Sequence, residues 1–200
     1  MNERLELALW GSNINQLALL TRPNEKALSE AYKVLQMLGA VNEKLQITKD
    51  GRLLSKIPLH PRLARIILAG GKDATLLASV LSNADPLNNM NSSDINIRIA
   101  AIKNYQKQKS DSSYSLKVPI IKGIMKEISR LSKHLTNKSD YTVAQLAALA
   151  YPDRIGKRRK GEIPRYILSN GKGAIMAESD PLRSTPFLVA CNLDGNLQEA

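Results

Sequence analysis

At Pro152 the chain changes its hydrophobic period. Upstream, apolar residues recur at three- and four-residue steps, the spacing of one helix face; downstream they fall in short alternating runs separated by turn residues such as Asn170-Gly171. A helix buries a stripe and a strand buries every second residue, so both patterns in succession imply a helical part followed by a small sheet. Aromatic residues make up only 4% of the 200, with one Trp and one Phe, so Leu, Ile, Val and Ala must fill the core. At 43% hydrophobic residues there is enough apolar surface for a real core in one or two domains. The expected class is mainly α with a small β part.

NEKALSEAYKVLQMLGAV reads as a helix from Asn24 that stops at Gly39, with Leu28, Ala31, Leu35 and Leu38 on one face. KLQIT alternates like a short strand, and Thr48 can cap a second helix through Leu53, Leu54 and Ile57 that Pro58 ends. Helix, extended segment and helix fit a small winged helix or a plain helical hairpin. Pro61 starts the next helix and Gly70-Gly71 closes it. DATLLASVLSNADP then places Leu77, Val80 and Leu81 inward, and Ser92 or Ser93 is the expected N-cap of a helix from Ile95 to about Lys107.

Residues 109–115, KSDSSYS, read as an exposed loop, after which Pro119 opens a longer helix with Ile121, Ile124, Ile128, Leu131 and Leu135 on one side. That is a bundle helix; a membrane-surface helix would carry aromatics on the apolar face, and this one has none. Thr142 is the expected cap of VAQLAALAY. RYILS, GAIM and FLVACNLDG read as three short strands of an incomplete sheet, the beginning of an oligonucleotide-binding (OB-like) barrel unless another segment closes it. Near the other terminus, RLELALWG is a short helix-like piece ending at Gly11.

The net charge is +11, and it is uneven: residues 1–100 carry 12 Lys and Arg against 9 Asp and Glu, residues 101–200 carry 17 against 9. Much of the excess lies in YPDRIGKRRKGEIPRYILSNGKG, residues 151–173, where Arg154, Lys157, Arg158, Arg159, Lys160, Arg165 and Lys172 have one acid, Glu162, between the first and the last of them. A basic surface gains free energy by releasing the counterions of a polyanion, which makes single-stranded RNA or DNA the first partner to expect and an anionic membrane the second. Glycines at 156, 161, 171 and 173 let backbone approach a phosphate chain, and Tyr151 and Tyr166 offer either stacking faces or core. The bland alternative is a solvated basic loop.

Catalysis finds no footing. None of the pairs Gly71-Lys72, Gly156-Lys157 and Gly171-Lys172 has the upstream glycine and following hydroxyl of a phosphate-cradling loop. His60 reads as a helix-start residue, Cys191 as a structural thiol in an apolar strand, and Asp153 beside Arg154 as a turn-anchoring ion pair. One cysteine excludes an intramolecular disulfide and any multi-cysteine metal site, which fits a reducing cytoplasm. No run of about 18 apolar residues suggests a membrane span.

Taken in order, LGAVNEKLQITKDGRLLSKIPLHPRLARIIL, DINIRIAAI, LAALAYPDRIGKRRKGEIPRYILSNGKGA and DPLRSTPFLVACNLDG resemble the C-terminal half of bacterial DEAH-box helicases of the HrpB subfamily. The similarity is densest over 38–68 and 146–195 and weak over 104–140. PLHPRLAR is shared widely among DEAH helicases, whereas AYPDRI with RYILSNGKGA points to this subfamily. The resemblance implies residues 1–20 as the segment leaving a motor, 21–58 as a winged helix, 59–140 as a helical bundle called the ratchet, and 141–200 as a partial OB-like domain. It also implies that ATP and magnesium bind RecA-like motor domains that these residues do not include, a separately encoded motor being one partner to expect, since no phosphate loop and no Asp-Glu-Ala-His sequence occurs here. Lys49 and Asp50 depart from the less polar residues usual in such a winged helix.

The resulting expectation is an accessory region of an ATP-dependent RNA helicase that contacts single strands through Arg154 to Lys172, with no cofactor and no hydrolysis of its own. A winged-helix regulator of duplex DNA is the main alternative, and a protein-interaction scaffold the other.

Overall fold

The computed structural model describes Leu5 and residues 24–107, 114–135 and 138–194. The expected RLELALWG helix and most of the 109–115 loop lie outside these residues, although Leu5 is buried in the core.

Helix α1 (Glu25–Met37) starts where Asn24 accepts a hydrogen bond from the Lys26 N–H, and it ends at Gly39 with φ 71°. Leu35 and Leu38 of the expected face are buried, and Leu28 and Ala31 lie toward its edge. The segment after it turns at 42–46 and returns through a single bridge between Val41 and Ile47, a wing reduced to one rung. Thr48 then does two jobs. Its hydroxyl donates to Gly39 O at 2.6 Å and accepts from the Gly51 N–H at 2.9 Å, so one side chain both caps α2 (Lys49–Leu54) and ties it to the end of α1. A Cβ at Gly51 would lie 2.0 Å from Ala40 O, so only glycine permits this closure.

The bundle is built on α3 (Pro61–Ala69) and α4 (Ala74–Ser82), which are buried on nearly every side. They pack on each other; α3 also meets α2 and α7 (Val143–Ala150), while α4 meets α5 (Ile95–Gln106) and α6 (Val118–Ser132). Ile66, Ile67, Leu77, Ile102, Ile121, Ile124, Leu131 and Leu146 close the core. Each fully buried aliphatic side chain contributes about 1.5–3 kcal/mol, which is how a chain poor in aromatics holds together. Thr142 caps α7 as expected, in a reciprocal box with Gln145.

Asp94, not Ser92 or Ser93, caps α5. The serines are engaged elsewhere: the Ser92 hydroxyl accepts from the Asp94 N–H, and Ser93 donates through both N–H and hydroxyl to Asp180, 87 residues away. A cap read from local sequence missed a partner supplied by the segment between Ile175 and Phe187.

The sheet has four antiparallel strands rather than three, in the order β3 (Gly173–Ile175), β2 (Arg165–Leu168), β1 (Ile155–Arg158), β4 (Phe187–Val189). The unexpected strand, β1, is the first half of the basic run itself. Its inward positions are Gly156 and Arg158, so no apolar alternation betrays it. Gly156 keeps this contact loose, since an added Cβ would come within 3.2 Å of side-chain ends of both Leu168 and Leu188. Cys191 follows β4 instead of lying within a strand, and burial pushes its thiol up to about 11.

Candidate nucleic-acid interface

Two polar clasps fix the sheet to the bundle. Arg62, on α3, donates from Nη1 to Asp153 Oδ1 at 2.5 Å and from Nη2 to Oδ2 at 2.7 Å, with Nη1 also 3.0 Å from Ala150 O at the end of α7. Both side chains are buried, and the guanidinium lies 5.0 Å from the centre of the Tyr151 ring. Burial works to raise the Asp153 pKa, but the hydrogen bonds and charge of Arg62 outweigh it and hold the carboxyl below its ordinary value. Asp153 is therefore the turn anchor that the sequence suggested, with Arg62 as its principal partner in place of Arg154, which stands 3.9 Å away.

The second clasp is Asp180, which accepts from Ser93 and from the Leu182 N–H. Burial pushes this carboxyl up, and the Ser93 hydroxyl, two N–H groups and the Arg98 charge bring it below the usual range.

The seven basic residues divide into two groups. Arg154 is directed into the structure, 5.4 Å from the Tyr151 ring centre and 3.5 Å from Cys191 O. Arg158 points to the inward side, where it donates to Arg183 O at 2.9 Å and Gly161 O at 3.1 Å and so fastens the β1–β2 loop. Arg165 is half-buried, and its Nε has no hydrogen-bond partner among the described residues. Lys172 is exposed and 3.4 Å from Glu30 on α1. Lys157, Arg159 and Lys160 are exposed, and among the described residues no ion pair holds them.

The tyrosines are core residues. Tyr166 is 1% exposed and directs its hydroxyl at the carbonyls of Leu182, Arg183 and Thr185, 3.1–3.2 Å away, while Tyr151 lies beneath the two arginines. Neither presents a free stacking face.

What the sequence reading missed is the outward side of the sheet. By register, Lys157 stands directly between Ile167 on β2 and Phe187 on β4. Phe187 is 60% exposed, and Ile155, Ile167 and Ile175 are exposed too. The run from Phe187 to Cys191 is apolar throughout, so without knowing that β1 was a strand there was no way to tell which side was covered.

Comparison with known proteins places this arrangement. A family model described as helicase associated domain (HA2), winged-helix, matches residues 31–59. The ATP-dependent RNA helicase HrpB of Escherichia coli K12 is 28% identical over 189 residues, which cover 93% of this chain and 21% of that protein. Its crystal structure, described as a DExH-box NTPase, superposes with a TM-score of 0.74 at 25% identity, covering 99% of this chain and 23% of the other. This chain matches the C-terminal region of HrpB. A second HrpB structure gives a TM-score of 0.70 at 26% identity. The probable ATP-dependent RNA helicase DHR1 of Saccharomyces cerevisiae is 39% identical over 82 residues, 38% of this chain and 6% of its own length. The chain thus spans about a fifth of the HrpB molecules it matches, and the mostly helical architecture with a small antiparallel sheet is shared with their C-terminal region. Among the described residues no helix is long and apolar enough to cross a membrane, and no group of three or more potential metal ligands occurs.

Proposed function

We propose that this HrpB-like region is an accessory part of an ATP-dependent RNA helicase and guides single-stranded RNA beside RecA-like motor domains carried outside these 200 residues. The observation that carries this reading is the exposed set Lys157, Arg159 and Lys160 on β1 and the loop after it, held on a body clamped by two buried carboxylates. Positive charge at fixed positions attracts a phosphate chain and releases its counterions without reading sequence. Arg165 and Lys172 add to the field, while Arg154 and Arg158 support it from inside.

In this reading residues 21–58 form the winged helix, 59–140 the ratchet and 141–200 the partial OB-like domain, with 1–20 leading from the motor. ATP and magnesium belong to the motor, which supplies the energy, and the setting is the cytoplasm.

The test is the fluorescence anisotropy of a labelled single-stranded RNA titrated with the full chain at several salt concentrations. Salt-sensitive binding with little base preference is expected. An unchanged anisotropy at low salt would overturn the proposal, and tight, sequence-selective binding of duplex DNA would favour a winged-helix regulator instead. Hydrolysis of ATP by the isolated chain, stimulated by RNA, would contradict the division of labour.

A further inference from the structure

We infer that Phe187 and Lys157 together form a contact for one nucleotide of a single strand, the base stacking on the Phe187 ring while the Lys157 ammonium meets a neighbouring phosphate. This inference rests on the proposed function and adds to it a binding site on the outward sheet face.

Phe187 is the chain's one phenylalanine, and a core poor in aromatics leaves it 60% exposed. It stands on edge strand β4 directly opposite Lys157, and cross-strand partners lie about 4.5–5.5 Å apart, close enough to serve adjoining parts of one nucleotide. On the other side of Lys157 comes Ile167, 43% exposed, and then Gly173, which has no side chain to rise above the sheet. The result is a shallow track across the strands with an aromatic plate at one end and a cation in the middle. Such alternation of flat apolar surface and positive charge is what sequence-tolerant strand binders use.

The same apolar residues could suggest a protein partner. Charge decides against it: the centre of the face is a lysine, Arg165 and Arg159 flank it, and charged side chains are depleted at the centre of protein interfaces. A polyanion with flat apolar groups fits both halves of the surface. Nucleic acid has that composition.

The experiment compares Phe187→Ala, Phe187→Leu and Phe187→Trp with the unaltered chain, using a labelled oligouridylate and an equally long abasic sugar-phosphate oligomer. Phe187→Ala and Phe187→Leu should each weaken the base-bearing strand roughly fivefold or more and leave the abasic strand unchanged, whereas Phe187→Trp should retain affinity. Lys157→Ala should weaken both strands and flatten the salt dependence. A 2-aminopurine in the strand should be quenched by the unaltered chain and not by Phe187→Ala.

If Phe187→Ala binds oligouridylate like the unaltered chain while Lys157→Ala does not, stacking is wrong and the accessory reading survives. Equal losses on both strands would likewise overturn stacking, since the ring would then act through folding, which thermal melts of the variants check independently. If neither strand binds the unaltered chain, the accessory reading itself fails; Phe187-dependent binding of polyglutamate in that case would assign the face to an acidic protein.

Discussion

Arg62 and Asp153 are 91 residues apart in sequence and meet in a buried bidentate pair at 2.5 and 2.7 Å. Arg62 opens the central helix of the bundle; Asp153 sits in the 3-10 turn that launches the sheet. One contact thus sets where the basic strand begins relative to the helices.

Removing one member of the pair leaves a charge stranded out of water. Arg62→Ala or Asp153→Ala is expected to cost about 3–5 kcal/mol, read from the urea midpoint. Replacing both by apolar residues of similar volume, Arg62→Met with Asp153→Leu, should restore much of that loss. A double variant no more stable than the singles would show that Ala150 O and the Tyr151 ring depend on the guanidinium as much as Asp153 does.

Stability should fall in two acid steps. Desolvation and the charges of Arg62 and Arg154 lower the His60 pKa from 6.5 to about 4. The unfolded chain therefore binds this proton first, and the His60 contribution, complete above 6.5, is lost as pH falls toward 4. Asp153 and Asp180 have folded values below the ordinary 3.8, so their contribution is intact above 3.8 and disappears on further acidification. His60→Asn keeps a side chain able to cap the Arg62 N–H and should abolish the first step alone, measured by urea unfolding from pH 7 to pH 3.

Two glycines should respond differently to alanine. At Gly51 the new methyl meets a backbone oxygen at 2.0 Å, and the turn joining α1 to α2 must open. At Gly156 it meets the ends of two leucine side chains at 3.2 Å, which can yield by a few tenths of an ångström. Gly156→Ala is expected to cost about 1–3 kcal/mol, as overpacking does, and Gly51→Ala clearly more. Thermal denaturation of the two variants checks the order.

Arg158 and its neighbours should separate by phenotype. Arg158→Ala removes the bonds to Arg183 O and Gly161 O and is expected to lower stability by about 1–3 kcal/mol. Lys157, Arg159 and Lys160 changed together to Ala should leave the melting temperature nearly unchanged. That triple variant should weaken single-stranded RNA binding and lower the salt slope by about 0.7 for each phosphate that is no longer neutralised.

Much of the helical part was legible because its signals are local. Asn24, Thr48, Pro61 and Thr142 each start a helix within their own few residues, and the three- and four-residue apolar steps mark the buried sides. Two of the failures involve distant partners. Ser93 looks like a cap but is claimed by Asp180 from the β3–β4 connection, and Asp153 looks like a partner of Arg154 but is claimed by Arg62 from the bundle. β1 was invisible because a strand is recognised by what it buries, and this one buries a glycine and an arginine stem. The basic run could be singled out by composition, yet which of its cations face solvent depended on that strand and its register.

β1 is bonded on both sides, to β2 and to β4, so it cannot fray without breaking two ladders. A lysine carried on such a strand keeps its place before any ligand arrives, and little conformational freedom remains to be surrendered on association. A cationic loop of the same composition would meet a polyanion with equal charge but would have to be ordered first. By building Lys157 into the interior of a sheet, the chain holds that charge in place ready-made.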